Sequence, residues 1–181
     1  MAFFHGVRVK EVPTSILTPV NTTAGLPVVF GTAPIHLTDN PEKNVNRPVI
    51  CYSWNEAVAA LGYAENWDAY TLSEVMYTQF KLYGVKPIIF INVLDPKKHK
   101  EEIKESEGRT VTAGRVILDE PVLTDTLKVK RAEAAEPAKH LADYTAAYND
   151  DGRLVICVTP TGALHSAEKL YLEYTKIDPS K

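Results

Sequence analysis

The apolar positions along residues 70–96 change period once, and the rest of the chain reads around that change. Leu72, Val75, Met76, Gln79, Phe80 and Tyr83 recur at spacings of three and four. That pattern predicts an amphipathic helix, apolar on one face apart from Gln79. Thr71 and Glu74 have the spacing of a capping box, in which the threonine oxygen accepts an orphan N–H and the glutamate reaches back to the cap. Gly84 is the expected left-handed stop. Ile88, Ile89, Phe90, Ile91, Val93 and Leu94 then run with Asn92 as the one polar break, and Asp95-Pro96 ends the segment. A strand apolar on both faces is usually covered on both, as in a mostly parallel α/β sheet, and that is the arrangement expected here.

Upstream, the pattern differs. In residues 1–26, Val7, Val9 and Val12 stand among Arg8, Lys10 and Glu11, a half-buried strand signal. Pro13, Pro19 and the NTTAG run follow it, so the segment reads as an extended arm. Such an arm is either an edge strand of its own domain or a strand donated to a neighbour's sheet. Residues 26–33 and 48–52 predict two further buried strands. Ser53 to Glu56 is a second capping box, opening a helix that stops at Gly62. Residues 27–96 therefore form a small α/β unit.

Residues 97–108 are almost all charged and read as a solvated linker or a short helix with Lys–Glu pairs. Beyond them the period becomes two. Residues 114–118, 126–131, 144–148, 153–159 and 170–175 predict strands, and Asn149-Asp150-Asp151-Gly152 predicts a hairpin turn. Residues 132–139 are a short helix or a loop. Residues 109–181 are thus a small antiparallel β domain of about six strands, and the whole is α+β. The final TKIDPSK directly follows a regular strand pattern, so the chain reads as an excised piece of something longer.

Composition narrows the function. The chain has 181 residues, 45% hydrophobic and 24% charged, ordinary for a globular protein of one or two domains. A net charge of -3 argues against a nucleic-acid partner. No apolar run approaches the ~20 residues of a membrane span, and the N-terminus lacks the pattern of a signal peptide. Cys51 and Cys157 lie in apolar runs, as buried reduced thiols do.

No constellation of residues carries catalysis. The histidines His5, His36, His99, His140 and His165 lack metal-ligand spacing. Gly31 is followed by no phosphate-loop pattern. Thr161-Gly162-Ala163 holds no nucleophile at its centre. Asp150-Asp151 lacks the alternating oxygens of a calcium loop. The expectation is therefore no catalytic residue, no cofactor and no metal.

Several short motifs, in order, resemble those of tail sheath proteins of contractile-tailed phages. They are Phe4-His5-Gly6-Val7-Arg8-Val9, Val29-Phe30-Gly31-Thr32-Ala33-Pro34, Asn46-Arg47-Pro48-Val49, Glu56-Ala57 with Leu61-Gly62, and Thr71-Leu72-Ser73-Glu74 leading to Val93-Leu94-Asp95-Pro96. The likeness covers about residues 1–96 and is weak beyond. It implies the N-terminal part of a structural subunit that polymerises helically with itself around a tail tube. It also implies that terminal arms add strands to neighbouring subunits, which makes Phe4, His5, Val7, Val9 and Val12 the inter-subunit residues here. The part that receives arms and meets the tube protein would lie in a C-terminal core outside this chain. The implied setting is a virion tail assembled in the bacterial cytoplasm, from a phage, a prophage or a phage-tail-like injection device. The alternative is a small α/β enzyme or ligand-binding module with an accessory β domain.

Overall fold

The computed structural model describes residues 25–181. The expected arm, with Phe4, His5, Val7, Val9 and Val12, lies outside the described residues except for its last two positions. The described part is mixed α+β and mostly β, a small α/β unit followed by antiparallel β structure.

The first unit is a three-stranded sheet with two helices. Strands β1 (Val28–Gly31) and β2 (Pro48–Cys51) flank β3 (Ile88–Asn92), β1 parallel and β2 antiparallel to it. The sheet is thus mixed rather than mostly parallel. Helix α1 (Trp54–Leu61) begins as expected: the Ser53 side chain accepts the Glu56 N–H at 3.3 Å. Glu56 in turn accepts the Tyr52 N–H at 2.9 Å, one residue earlier than a standard capping box.

Helix α2 (Thr71–Met76) departs from the sequence reading at its start and in its later turns. Thr71 does not cap it. Its hydroxyl accepts the Thr32 N–H at 3.1 Å, and its own N–H is donated to the Thr32 hydroxyl at 3.1 Å. The threonine pair therefore ties the helix start to the end of β1. After Met76 the helix widens into a π-helical stretch (Tyr77–Tyr83), ending at left-handed Gly84 with φ 64°. A wider turn rotates later residues off the 3.6-residue stripe. Leu72 and Met76 are fully buried, Phe80 is half-buried, and Tyr83 is 73% exposed. A glycine is required at Gly31 for a different reason: a Cβ there would run into the Thr71 hydroxyl and sit 3.1 Å from Leu72.

Asn92, the polar break in β3, is completely buried and hydrogen-bonded through both its oxygen and its amide nitrogen. Its side-chain oxygen accepts the Ala33 N–H at 3.1 Å and the Leu94 N–H at 3.0 Å. Its amide donates to the Leu94 carbonyl at 3.0 Å. One side chain thus closes the ends of β1 and β3 without leaving a buried polar atom unpaired.

The charged stretch expected as a linker holds a strand instead. β4 (Lys100–Lys104) pairs antiparallel with the end of the nine-residue β10 (Lys169–Ile177). Half-buried Glu101 and Ile103 alternate with exposed Lys100, Glu102 and Lys104. Charge density misled because an edge strand needs only one apolar side chain when its outer face is wet. Short β5 (Arg109–Thr110) also pairs with β10, and β7 (Lys128–Lys130) pairs on β10's other side. The second sheet is β6 (Arg115–Leu118), β9 (Leu154–Val158) and β8 (Tyr144–Tyr148), antiparallel with β9 central. The β8–β9 hairpin turns at residues 149–152, as the sequence predicts. Residues 132–139 contain no helix. Val116, Leu118, Leu154 and Ile156 of one sheet share a core with Val129, Leu170, Leu172 and Tyr174 of the other. Strand β10 bridges the two units, since its Ile177 belongs to the core of the first.

Candidate functional site

Among the described residues, the three-stranded sheet is covered on one face only. The register places Val28, Ile89 and Ile50 in one cross-strand row, and Phe30, Ile91 and Pro48 in the next. These rows point away from the face where Phe90, Ile88 and Cys51 are buried with the helices. Val28 is 49% exposed, Phe30 66% and Ile50 42%, while Ile89 and Ile91 are half-buried. Within the described residues this differs from the expected covering of both faces. Helices α1 and α2 both pack on the same side, so nothing among the described residues lies over the other. Tyr52 and Val93 extend the same open face and are also exposed. Among the described residues, no strand pairs with the outer edges of β1 and β2. Apolar patches and unpaired strand edges of this kind commonly mark contact surfaces.

A second feature lies where the units meet. His36 is buried, with its ring 5.7 Å from Tyr70 and 5.4 Å from Tyr148 of the β region. Its Nδ1 has no hydrogen-bond partner among the described residues. Burial lowers the imidazole from its ordinary value to about 4. Tyr148 donates to the Val122 carbonyl at 2.6 Å, which holds its ring against His36. A groove of about 470 Å³ runs beside them, with Glu120 and Asp178 on its walls.

The nearest approach to a polar site is on the β region. Tyr174 donates to Glu120 at 2.7 Å; Arg109 lies 2.7 Å from Glu105 and 3.5 Å from Glu120. Burial and the Glu120 hydrogen bond push the Tyr174 phenol up, the opposite of an activated hydroxyl. Cys51 is likewise pushed up by burial, to about 11, away from thiolate reactivity. Lys130 and Glu173 pair at 2.7 Å, with Glu173 on the wall of a groove of about 670 Å³, and the Lys130 hydrogen bond holds Glu173 below the usual carboxylate range. Among the described residues no group of three or more His, Cys, Asp or Glu could hold a metal ion. Among them, no helix is long and apolar enough to cross a membrane.

No family model, curated protein or solved structure matches the chain. The geometry therefore carries the functional argument. The open face and the His36–Tyr148 junction were both missed by the sequence reading. The run Val28-Val29-Phe30 looks the same whether one face or both are covered, and His36 carries no neighbouring signal.

Proposed function

We propose that this chain is the N-terminal part of a structural subunit of a contractile tail sheath, from a phage or a phage-tail-like injection device, that polymerises with itself around a tail tube. The observation that carries the reading is what the residues of the ordered motifs do. Gly31 and Thr32 close β1 onto Thr71. Asn46, at φ 52°, donates its N–H to the Asn92 carbonyl at 2.8 Å. Glu56 caps α1, and the Gly62 N–H ends it by donating to the Val58 carbonyl. These residues build a scaffold and do not converge on a reaction site. The enzyme or ligand-binding alternative needs convergent polar groups tuned toward reactivity. Cys51, Tyr174 and His36 lie apart, and burial leads each shift.

Under this reading the arm carrying Phe4, His5, Val7, Val9 and Val12 adds a strand to a neighbouring subunit, and the tube protein is met by a C-terminal part of the gene product. Main-chain pairing tolerates side-chain change but not a lost donor. Val9→Pro is therefore expected to abolish or shorten polymers of the complete gene product, while the thermal midpoint of the unassembled subunit stays at the wild-type value. Sedimentation and a thermal melt of the two proteins check this. Normal polymers from the variant would remove the arm from the account.

A further inference from the structure

The α/β unit and the β region meet at a buried imidazole with a groove beside it. We propose that His36 is an acid-released latch: its neutral ring holds the two units together, and protonation lets the groove between them open while each unit stays folded. The latch is independent of the sheath reading.

His36 sits in a short turn, Ile35–Leu37, and Ala33 and Ile35 fix that turn in the core of the first unit. Across the junction the ring meets Tyr148 of β8, edge-on, with 5.4 Å between centroids. Tyr148 is itself tied to the β region, because its hydroxyl donates to the Val122 carbonyl at 2.6 Å. The units are also joined at the end of β10. There Ile177 packs into the first core, and the Asp178 N–H donates to the His99 carbonyl at 3.0 Å. The groove of about 470 Å³ is lined by both His36 and Ile177, so it runs from the latch to this second contact, which serves as the hinge.

A proton on the closed ring has nothing to neutralise it. Its aromatic neighbours, Tyr70 and Tyr148, are pushed up by burial and stay uncharged. Six charged side chains line the groove: Glu65 from the first unit, and Asp119, Glu120, Asp151, Lys176 and Asp178 from the β region. Four of them are engaged elsewhere. Asp119 lies 3.2 Å from Arg153, Glu120 accepts from Tyr174 at 2.7 Å, Lys176 lies 3.2 Å from Glu101, and Asp178 accepts the Ser180 N–H at 3.0 Å. Glu65 and Asp151 are exposed. Desolvation is therefore what acts on the closed imidazole, and it opposes the charged form. In the opened groove an imidazolium gains water and a surrounding of five carboxylates against one lysine. The proton and the open arrangement thus favour each other, as in other histidine switches.

With a pKa of about 4 in the closed slot and 6.5 in water, the open-to-closed ratio should rise about 30-fold from pH 7.5 to pH 5. Pulsed EPR on the 181-residue chain reads it, with spin labels at Glu65→Cys and Asp151→Cys in a Cys157→Ser background. The wild-type latch should give one short distance at pH 7.5 and a second, longer one at pH 5. His36→Phe keeps a ring that takes no proton, and it should hold the short distance at both pH values. His36→Gln, also uncharged throughout, should show no change of distance with pH. Amide NMR spectra of the wild-type chain should stay dispersed at pH 5. Three results overturn the latch: an unchanged distance with His36 present at pH 5, the same acid-induced lengthening in either variant, or loss of amide dispersion together with the longer distance.

Discussion

Phe90→Ala is expected to destabilise the chain by about 3–5 kcal/mol, the cost of emptying a well-packed aromatic site. Phe90 is at the centre of β3, the middle strand, and is 0% exposed. Its cross-strand neighbours are Val29 and Val49, and the Phe80 ring lies tilted against it with 6.1 Å between centroids. These three neighbours come from different elements, so no single one can move in to fill the hole. Lys98→Ala, at an exposed position just after the same unit, should cost close to nothing. Urea titration of both variants checks this, with the midpoint falling and the slope unchanged for Phe90→Ala. Similar midpoints for the two would mean that β3 is not the strand around which the unit packs.

Acid should weaken the protein through His36, and His36→Phe should remove that weakness. The imidazole is held neutral in the folded state with a pKa of about 4, against 6.5 when exposed. Between these values the unfolded chain binds a proton that the folded chain does not. Stability is therefore fully present above pH 6.5 and is lost as pH falls toward 4, by about 3 kcal/mol in total at 1.36 kcal/mol per unit. The rings beside it, Tyr70 and Tyr148, are pushed up by burial and stay neutral throughout this window. Phenylalanine keeps an aromatic ring between the two tyrosines and has nothing to protonate. The wild-type stability should drop more steeply than that of His36→Phe from pH 6.5 to pH 4, measured by denaturant unfolding at each pH. Parallel curves would show that water already reaches the imidazole and that the junction between the units is open.

Much of this architecture was legible from periodicity. The strand alternation after residue 109 and the turn at 149–152 needed only local signals, because each strand there has one wet face and one buried face. The helix stop at Gly84 was equally local. What failed were inferences about partners far away in sequence. Thr71 has the spacing of a cap, but Thr32, 39 residues earlier, takes its hydroxyl instead. Lys100–Lys104 looks like a linker until β10, some 70 residues later, pairs with it. The apolar run of β3 cannot report that both helices chose the same side of the sheet. As for the candidate site, the sequence reading placed it in residues 4–12, outside the described part, and had no signal for the open face. A surface is apolar by sequence and exposed only by topology.

The proposed reading as a sheath subunit is tested most directly by electron microscopy of the complete gene product, purified alone and with a tail-tube protein from the same source. The account predicts long striated sleeves or tubes of a regular helical repeat. Uniform small globular particles at every protein concentration, with the tube partner present, would contradict it.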